Sequence, residues 1–225
     1  MKRKVNEDSI LVRTERGLWA VADGMGGHEA GDVASSSVVE ALSMVPPHAN
    51  LERFANDAMT ALKNVNHQLI QLAREGTHPR TIGSTVVSLV ISGEQFACMW
   101  AGDSRAYRVR EGEIAQITRD HSLVQDLIDA GMLAPAEAEG HPNANVVTRA
   151  VGATEDLNVD VSAGETREGD LFILASDGLT RVVNDDLIYA ELTSKPLEQA
   201  ADRLVEMVLE RGAPDNVSFV IVRMT

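Results

Sequence analysis

The stretch Trp19-Ala-Val-Ala-Asp-Gly-Met-Gly-Gly27 is an apolar run that stops abruptly at Asp23-Gly24 and is followed by two more glycines within three residues. A buried strand that ends in a carboxylate and flexible backbone presents an oxygen ligand at the rim of a sheet. The pattern recurs along the chain. Phe96-Ala-Cys-Met-Trp-Ala101 runs into Gly102-Asp103-Ser104, Leu171-Phe-Ile-Leu-Ala-Ser176 runs into Asp177-Gly178, and Asp215-Asn216 opens the apolar run 217–222. Asn6-Glu7-Asp8 sits just before Ser9-Ile-Leu-Val12. If those ends converge, several carboxylates share a small volume, and like charges that close need cations. The atoms on offer are oxygens, because neither Cys nor His recurs there, so the cations should be hard: magnesium or manganese.

Composition narrows the class. The chain has 225 residues, 44% hydrophobic and 24% charged, which reads as one globular domain over 1–225 with a sizeable core. Its formal net charge of −14 opposes binding to nucleic acid or an anionic membrane, which needs clustered Lys and Arg. The single cysteine, Cys98, cannot form an internal disulfide, and no apolar run approaches the roughly 20 residues of a membrane span. A cytoplasmic chain is expected.

Residues 9–12 and 18–22 read as a hairpin ending at Asp23. Gly24-Met-Gly26-Gly27 is neither a dinucleotide fingerprint, since Glu29 stands where a third glycine is needed, nor a phosphate loop, since no Lys-Ser/Thr follows. A helix is expected from about Ala30 to Val45, stopped by Pro46-Pro47. Leu51, Phe54, Ala58, Leu62, Val65, Leu69 and Leu72 then step by three and four, forming one face of a long helix that packs on a sheet. Segments 85–92, 95–100, 105–110 and 114–118 read as a single antiparallel meander with tight turns, one of them Gly102-Asp103, whose carboxylate should face solvent. Residues of about 122–148 read as a mobile excursion beside the site, opening with an amphipathic helix over 123–132. A strand at 171–175, a helix over 185–193 capped by Asn184, a helix opened by Pro196 and a last strand complete the chain. Helical pairs over two sheets suggest an α+β protein.

Six of these stretches, in order, carry a family resemblance: Arg3-x-x-Asn6-Glu7-Asp8, Val21-Ala-Asp-Gly-Met-Gly-Gly-His28, Gly83-Ser84-Thr85, Ala101-Gly-Asp-Ser-Arg105, Ser176-Asp-Gly-Leu179 and Pro214-Asp-Asn216. Together they resemble the PP2C-type (PPM) metal-dependent Ser/Thr protein phosphatases, in their standalone bacterial form. The resemblance implies a four-layer α-β-β-α sandwich of two mostly antiparallel sheets flanked by helix pairs, with 122–148 as a flap. It implies two core Mn2+ or Mg2+ ions. Asp23 would bridge them, the Gly24 carbonyl would join the first, and Asp177 and Asp215 would complete the second. Asp103 with Asp177 would bind a third, weaker ion, Glu7 and Asp8 would hold waters in the outer shell, and Arg3 would hold the phosphoryl oxygens. The implied partners are phosphorylated proteins and a cognate Ser/Thr kinase, with the chain a monomer. Standalone members occur in type VI secretion clusters, and a role there is part of the expectation.

Departures from the pattern bear on this. Family members carry a strand before the arginine, whereas Arg3 here follows two residues, so that strand is expected to be missing or very short. Met25 stands where eukaryotic members have a histidine proposed as general acid. Two other readings compete: a catalytically silent regulatory module of the same fold, for which eroded acids are expected, and a small-molecule phosphatase, whose specificity would come from 122–148.

Overall fold

The structure is a computed structural model that describes residues 5–26, 30–75, 81–138 and 140–225. Near the N-terminus lie β1 (Asp8–Arg13) and β2 (Leu18–Met25), the latter continuously apolar as far as Ala22, joined by a 3-10 turn and Gly17. Two helices follow, α1 (Ala30–Ser43) and α2 (Leu51–Glu75). Then come β3 (Gly83–Ser84), β4 (Val86–Ser92), β5 (Gln95–Ala101), β6 (Arg105–Arg110) and β7 (Glu113–Gln116). The rest comprises α3 (Leu123–Asp129), β8 (Asp160–Glu165), β9 (Leu171–Ala175), α4 (Asp177–Thr180), α5 (Asp185–Ser194), α6 (Leu197–Glu210) and β10 (Phe219–Arg223).

Two sheets result. The first runs β1-β2-β4-β5-β8, with β3 pairing the end of β2, and the second runs β10-β9-β6-β7. Every described strand pair is antiparallel. Three apolar layers hold the sandwich. Ala34, Val38 and Leu42 of α1 and Phe54, Leu62 and Leu69 of α2 pack on one face of the first sheet. Trp19, Val21, Leu89, Cys98 and Trp100 on its other face meet Phe172, Leu174, Val220 and Val222 of the second. Ile188 and Leu192 of α5 and Leu204 and Val208 of α6 cover the outside of that second sheet. Each fully buried side chain of this size contributes about 1.5–3 kcal/mol. The four-layer α-β-β-α arrangement is therefore present, and Cys98 is a buried core residue whose thiol burial pushes well up.

Four expectations need correction. The supposed meander is divided: β4 and β5 lie in the first sheet, β6 and β7 in the second. The chain crosses between them at Gly102-Asp103-Ser104, where Gly102 has φ +126° and a Cβ would lie 2.5 Å from Cβ of Thr85. β6 finds its partner in β9. In consequence Asp103 is not solvent-facing: it is 4% exposed. Three elements lie outside the expected set: the two-residue β3, β8, whose faces alternate with little apolar signal, and the four-residue α4. Finally, α3 ends at Asp129 and buries none of its residues, and Leu72 of α2 is exposed, so neither apolar face is complete. The 122–148 excursion is pinned at its base by the Ser122–Val147 bridge and by Thr148 N–H donating to the His121 carbonyl at 2.8 Å.

Candidate functional site

The strand ends do converge. Asp23 lies directly opposite Asp8 in the β1–β2 ladder. Its backbone is clamped from the other side by the start of β4: Asp23 N–H donates to Thr85 Oγ1 at 3.1 Å, and its carbonyl accepts from Thr85 N–H at 2.8 Å and Ser84 Oγ at 3.0 Å. The carboxylate thus stands on a backbone tied on both edges. Glu7 is held beside it, its carbonyl accepting from Gly24 N–H at 3.0 Å and its own N–H donating to Asn216 Oδ1 at 3.1 Å.

From the second sheet, β9 delivers Ser176 and Asp177, the latter opening α4. Asp215 comes from the stretch before β10, and its Oδ1 accepts from Asn216 N–H at 2.8 Å. The two stretches touch at Gly178, where a Cβ would sit 1.7 Å from the Asn216 carbonyl oxygen. Only the absence of a side chain lets Asp177 and Asp215 share the rim. Ser176 Oγ donates to Oδ2 of the buried Asp8 at 3.0 Å, joining the rims of the two sheets.

A cleft of about 460 Å³ opens on this rim, lined by Glu7, Asp23, Gly24, Asp103, Asp177 and Asp215, with Asn145 and Val147 from the excursion. Of the expected site residues, Asp8 lies behind it and Arg3 falls outside the described residues. Burial, reinforced by Asp8, Asp177, Asp103 and Asp215, pushes the Asp23 carboxyl up to about 9. Burial and Asp177 push Asp103 to about 6 against the opposing pull of Arg181. Asp8 and Asp177 are also raised, burial being the leading cause in each and Asp215 a further one. Carboxylates in this condition are stabilised by added positive charge.

The donor set fits hard divalent ions. Asp177 Oδ1 is buried with no hydrogen-bond partner, an oxygen in need of a proton or a cation. Among the described residues, no three His, Cys, Asp or Glu side chains form a ready-made cage for one ion. Magnesium-class ions are commonly held by one or two carboxylates, with water completing the shell, so the arrangement suits them better than an ion needing a full protein cage. Ser176, Thr85 and Asn216 lie inside the recognised motifs, yet nothing local in the sequence indicates the contacts they make. Arg181 carries one usable signal: it follows Asp177 by four residues, the spacing of an ion pair once α4 is recognised.

This rim, built from two sandwiched sheets, belongs to a known class: residues 2–218 match the Protein phosphatase 2C family, and the chain is a member of it. It is similar to PppA, described as a key regulatory component of T6SS in Pseudomonas aeruginosa, at 43% identity and TM-score 0.90, covering 99% of this chain and 93% of that one. It is 35% identical over 223 residues to the serine/threonine protein phosphatase PstP of Mycobacterium tuberculosis, and that match takes in 97% of this chain but 42% of PstP. The catalytic domain of PstP in complex with two manganese ions shares 33% identity at TM-score 0.87, covering 98% of this chain and 92% of that one. Among the described residues, no helix is long and apolar enough to cross a membrane.

Proposed function

We infer that this chain is a metal-dependent phosphatase that removes phosphate from phosphoserine and phosphothreonine in proteins, within one catalytic domain spanning 1–225. The observation that carries the reading is the meeting of Asp23, Asp177, Asp215 and Asp103 from both sheets at one cleft. Two divalent ions, when bound, neutralise charge on the transferring phosphoryl group and make a water acidic enough to attack it in line. In this reading Asp23, the Gly24 carbonyl, Asp177 and Asp215 would hold the ions, Asp23 being shared by both, the Gly24 carbonyl serving the first, and Asp177, through its partnerless Oδ1, and Asp215 serving the second. Thr85 and Ser84 hold the Asp23 backbone so that its carboxylate needs no reorganisation. Glu7 and Asp8 would orient the surrounding waters, Asp103 with Asp177 would serve a third, weaker site, and Arg3 would hold the phosphoryl oxygens with its planar fork.

Manganese is favoured by the similarity to the manganese-bound PstP domain. Similarity to PppA supports a place in type VI secretion control. The chain would act there as a cytoplasmic monomer, opposing a Ser/Thr kinase on phosphoprotein partners. The test is hydrolysis of para-nitrophenyl phosphate and of a phosphothreonine peptide, with manganese or with EDTA, by wild type and Asp23→Asn. Turnover that needs manganese and disappears in the variant upholds the reading. Turnover of small phosphates but of no phosphopeptide would make it a small-molecule phosphatase. No turnover by folded, manganese-loaded protein would leave a binding module.

A further inference from the structure

The guanidinium of Arg181 lies between two carboxylates of the cleft. Its Nε pairs with Asp177 Oδ2 at 2.9 Å, and its Nη2 donates to Asp103 Oδ2 at 2.9 Å and to the Ala144 carbonyl at 3.1 Å. The three acceptors come from α4, from the crossing between the sheets and from the 122–148 excursion. Asp177 therefore divides its oxygens: Oδ2 faces Arg181, while Oδ1 is left without a hydrogen-bond partner. A buried carboxylate such as Asp103 is strongly disfavoured without a counter-charge, and Arg181 supplies one.

We propose that Arg181 is a positioning residue, a tethered cation that fills the place between Asp103 and Asp177 where a third divalent ion would sit, and that ties the excursion to the cleft through Ala144. The proposal rests on the phosphatase reading above. Arg181 and a third divalent ion would compete for the same two oxygens, Asp177 Oδ2 and Asp103 Oδ2, and two cations brought that close repel each other. The chain then holds two ions through Asp23, Asp177 Oδ1 and Asp215, and admits a third only when Arg181 withdraws. Its side chain is 30% exposed, so a route to water is open. Withdrawal also releases Ala144. Third-ion binding and the hold on the excursion are thus linked, and by reciprocity each weakens or strengthens the other by the same factor.

The test measures manganese binding by equilibrium dialysis with elemental analysis, and amide deuterium exchange over 143–148, for wild type, Arg181→Gln and Arg181→Ala. Near-UV circular dichroism checks the fold of each variant. Both variants should bind a third manganese on the order of tenfold more tightly than wild type with the first two unchanged, and should exchange faster over 143–148 when metal-free. Wild type should show the same faster exchange once manganese is raised enough to fill the third place. Unchanged third-ion affinity in two folded variants overturns the proposal and leaves the phosphatase reading intact. Failure of wild type to bind any manganese removes both, and the missing first two ions identify that outcome.

Discussion

Ser176 donates its hydroxyl to Oδ2 of Asp8 at 3.0 Å, while the Ser176 Oγ itself accepts from the Ser218 amide at 3.1 Å. One side chain thereby ties the stretch entering the last strand, the strand before α4 and the first strand of the opposite sheet. Apolar packing fills the space between the sheets but is non-directional. This polar contact aligns their rims, and with them the acids of the cleft.

Ser176→Ala removes that tie and leaves Asp8, 9% exposed, short of a donor. Loss of about 1–3 kcal/mol is expected, read as a lower urea midpoint with an unchanged slope. A loss below about 0.5 kcal/mol would assign the alignment to the apolar layer alone.

Asp23→Asn should separate activity from stability. Phosphatase activity should fall by roughly 10³-fold or more, since several kcal/mol of charge stabilisation is lost at about 1.4 kcal/mol per tenfold. The metal-free variant should nonetheless melt higher than metal-free wild type at pH 7.5: folding there must put a proton on the Asp23 carboxyl, which is raised to about 9 in the folded state but ionised in the unfolded chain, and the amide needs none. A metal-free melting temperature below wild type would contradict burial and carboxylate repulsion as the causes of the raised Asp23 carboxyl.

The same groups set a pH dependence for the metal-free protein. Asp23 ionises near 3.8 when unperturbed and near 9 when folded, so the folded state holds its proton more tightly. That contribution is whole below about pH 4 and is lost progressively as pH rises towards about 9. Asp103 adds a smaller loss between about pH 4 and about pH 6. Melting temperatures should therefore fall from pH 6 to pH 8.5 without metal and recover on adding manganese, with a flatter profile in Asp23→Asn.

Gly178→Ala would place a methyl 1.7 Å from the Asn216 carbonyl oxygen, a backbone atom that cannot turn aside. Separation of Asp177 from Asp215 should cost about 1–3 kcal/mol and weaken manganese binding. Gly140→Ala, where an added Cβ meets nothing within 4 Å, is the control and should change neither.

Local signals made much of this molecule legible. Step sizes of three and four located α2, Asn184 capped α5 through its bond to the Leu187 amide, and carboxylates marked the ends of β2, β5 and β9. The ordered motifs around those acids carried the family. What they left out was partnership. Gly102-Asp103 reads alike as a hairpin turn or as a crossing, and only the pairing of β6 with β9 distinguishes them. β8 was illegible because its weak alternation becomes a strand only through β5.

The chain's own order of residues determined that strands end in acids, that helices flank them and that the site's ligands are oxygens, because propensity and periodicity act within a few residues. Tertiary structure alone decided that Asp103 is buried, that Ser176 reaches Asp8 across 168 positions and that Arg181 spans Asp103, Asp177 and Ala144. Burial, pairing and counter-charge depend on which distant segments meet, and that is settled only when the two sheets close on one another.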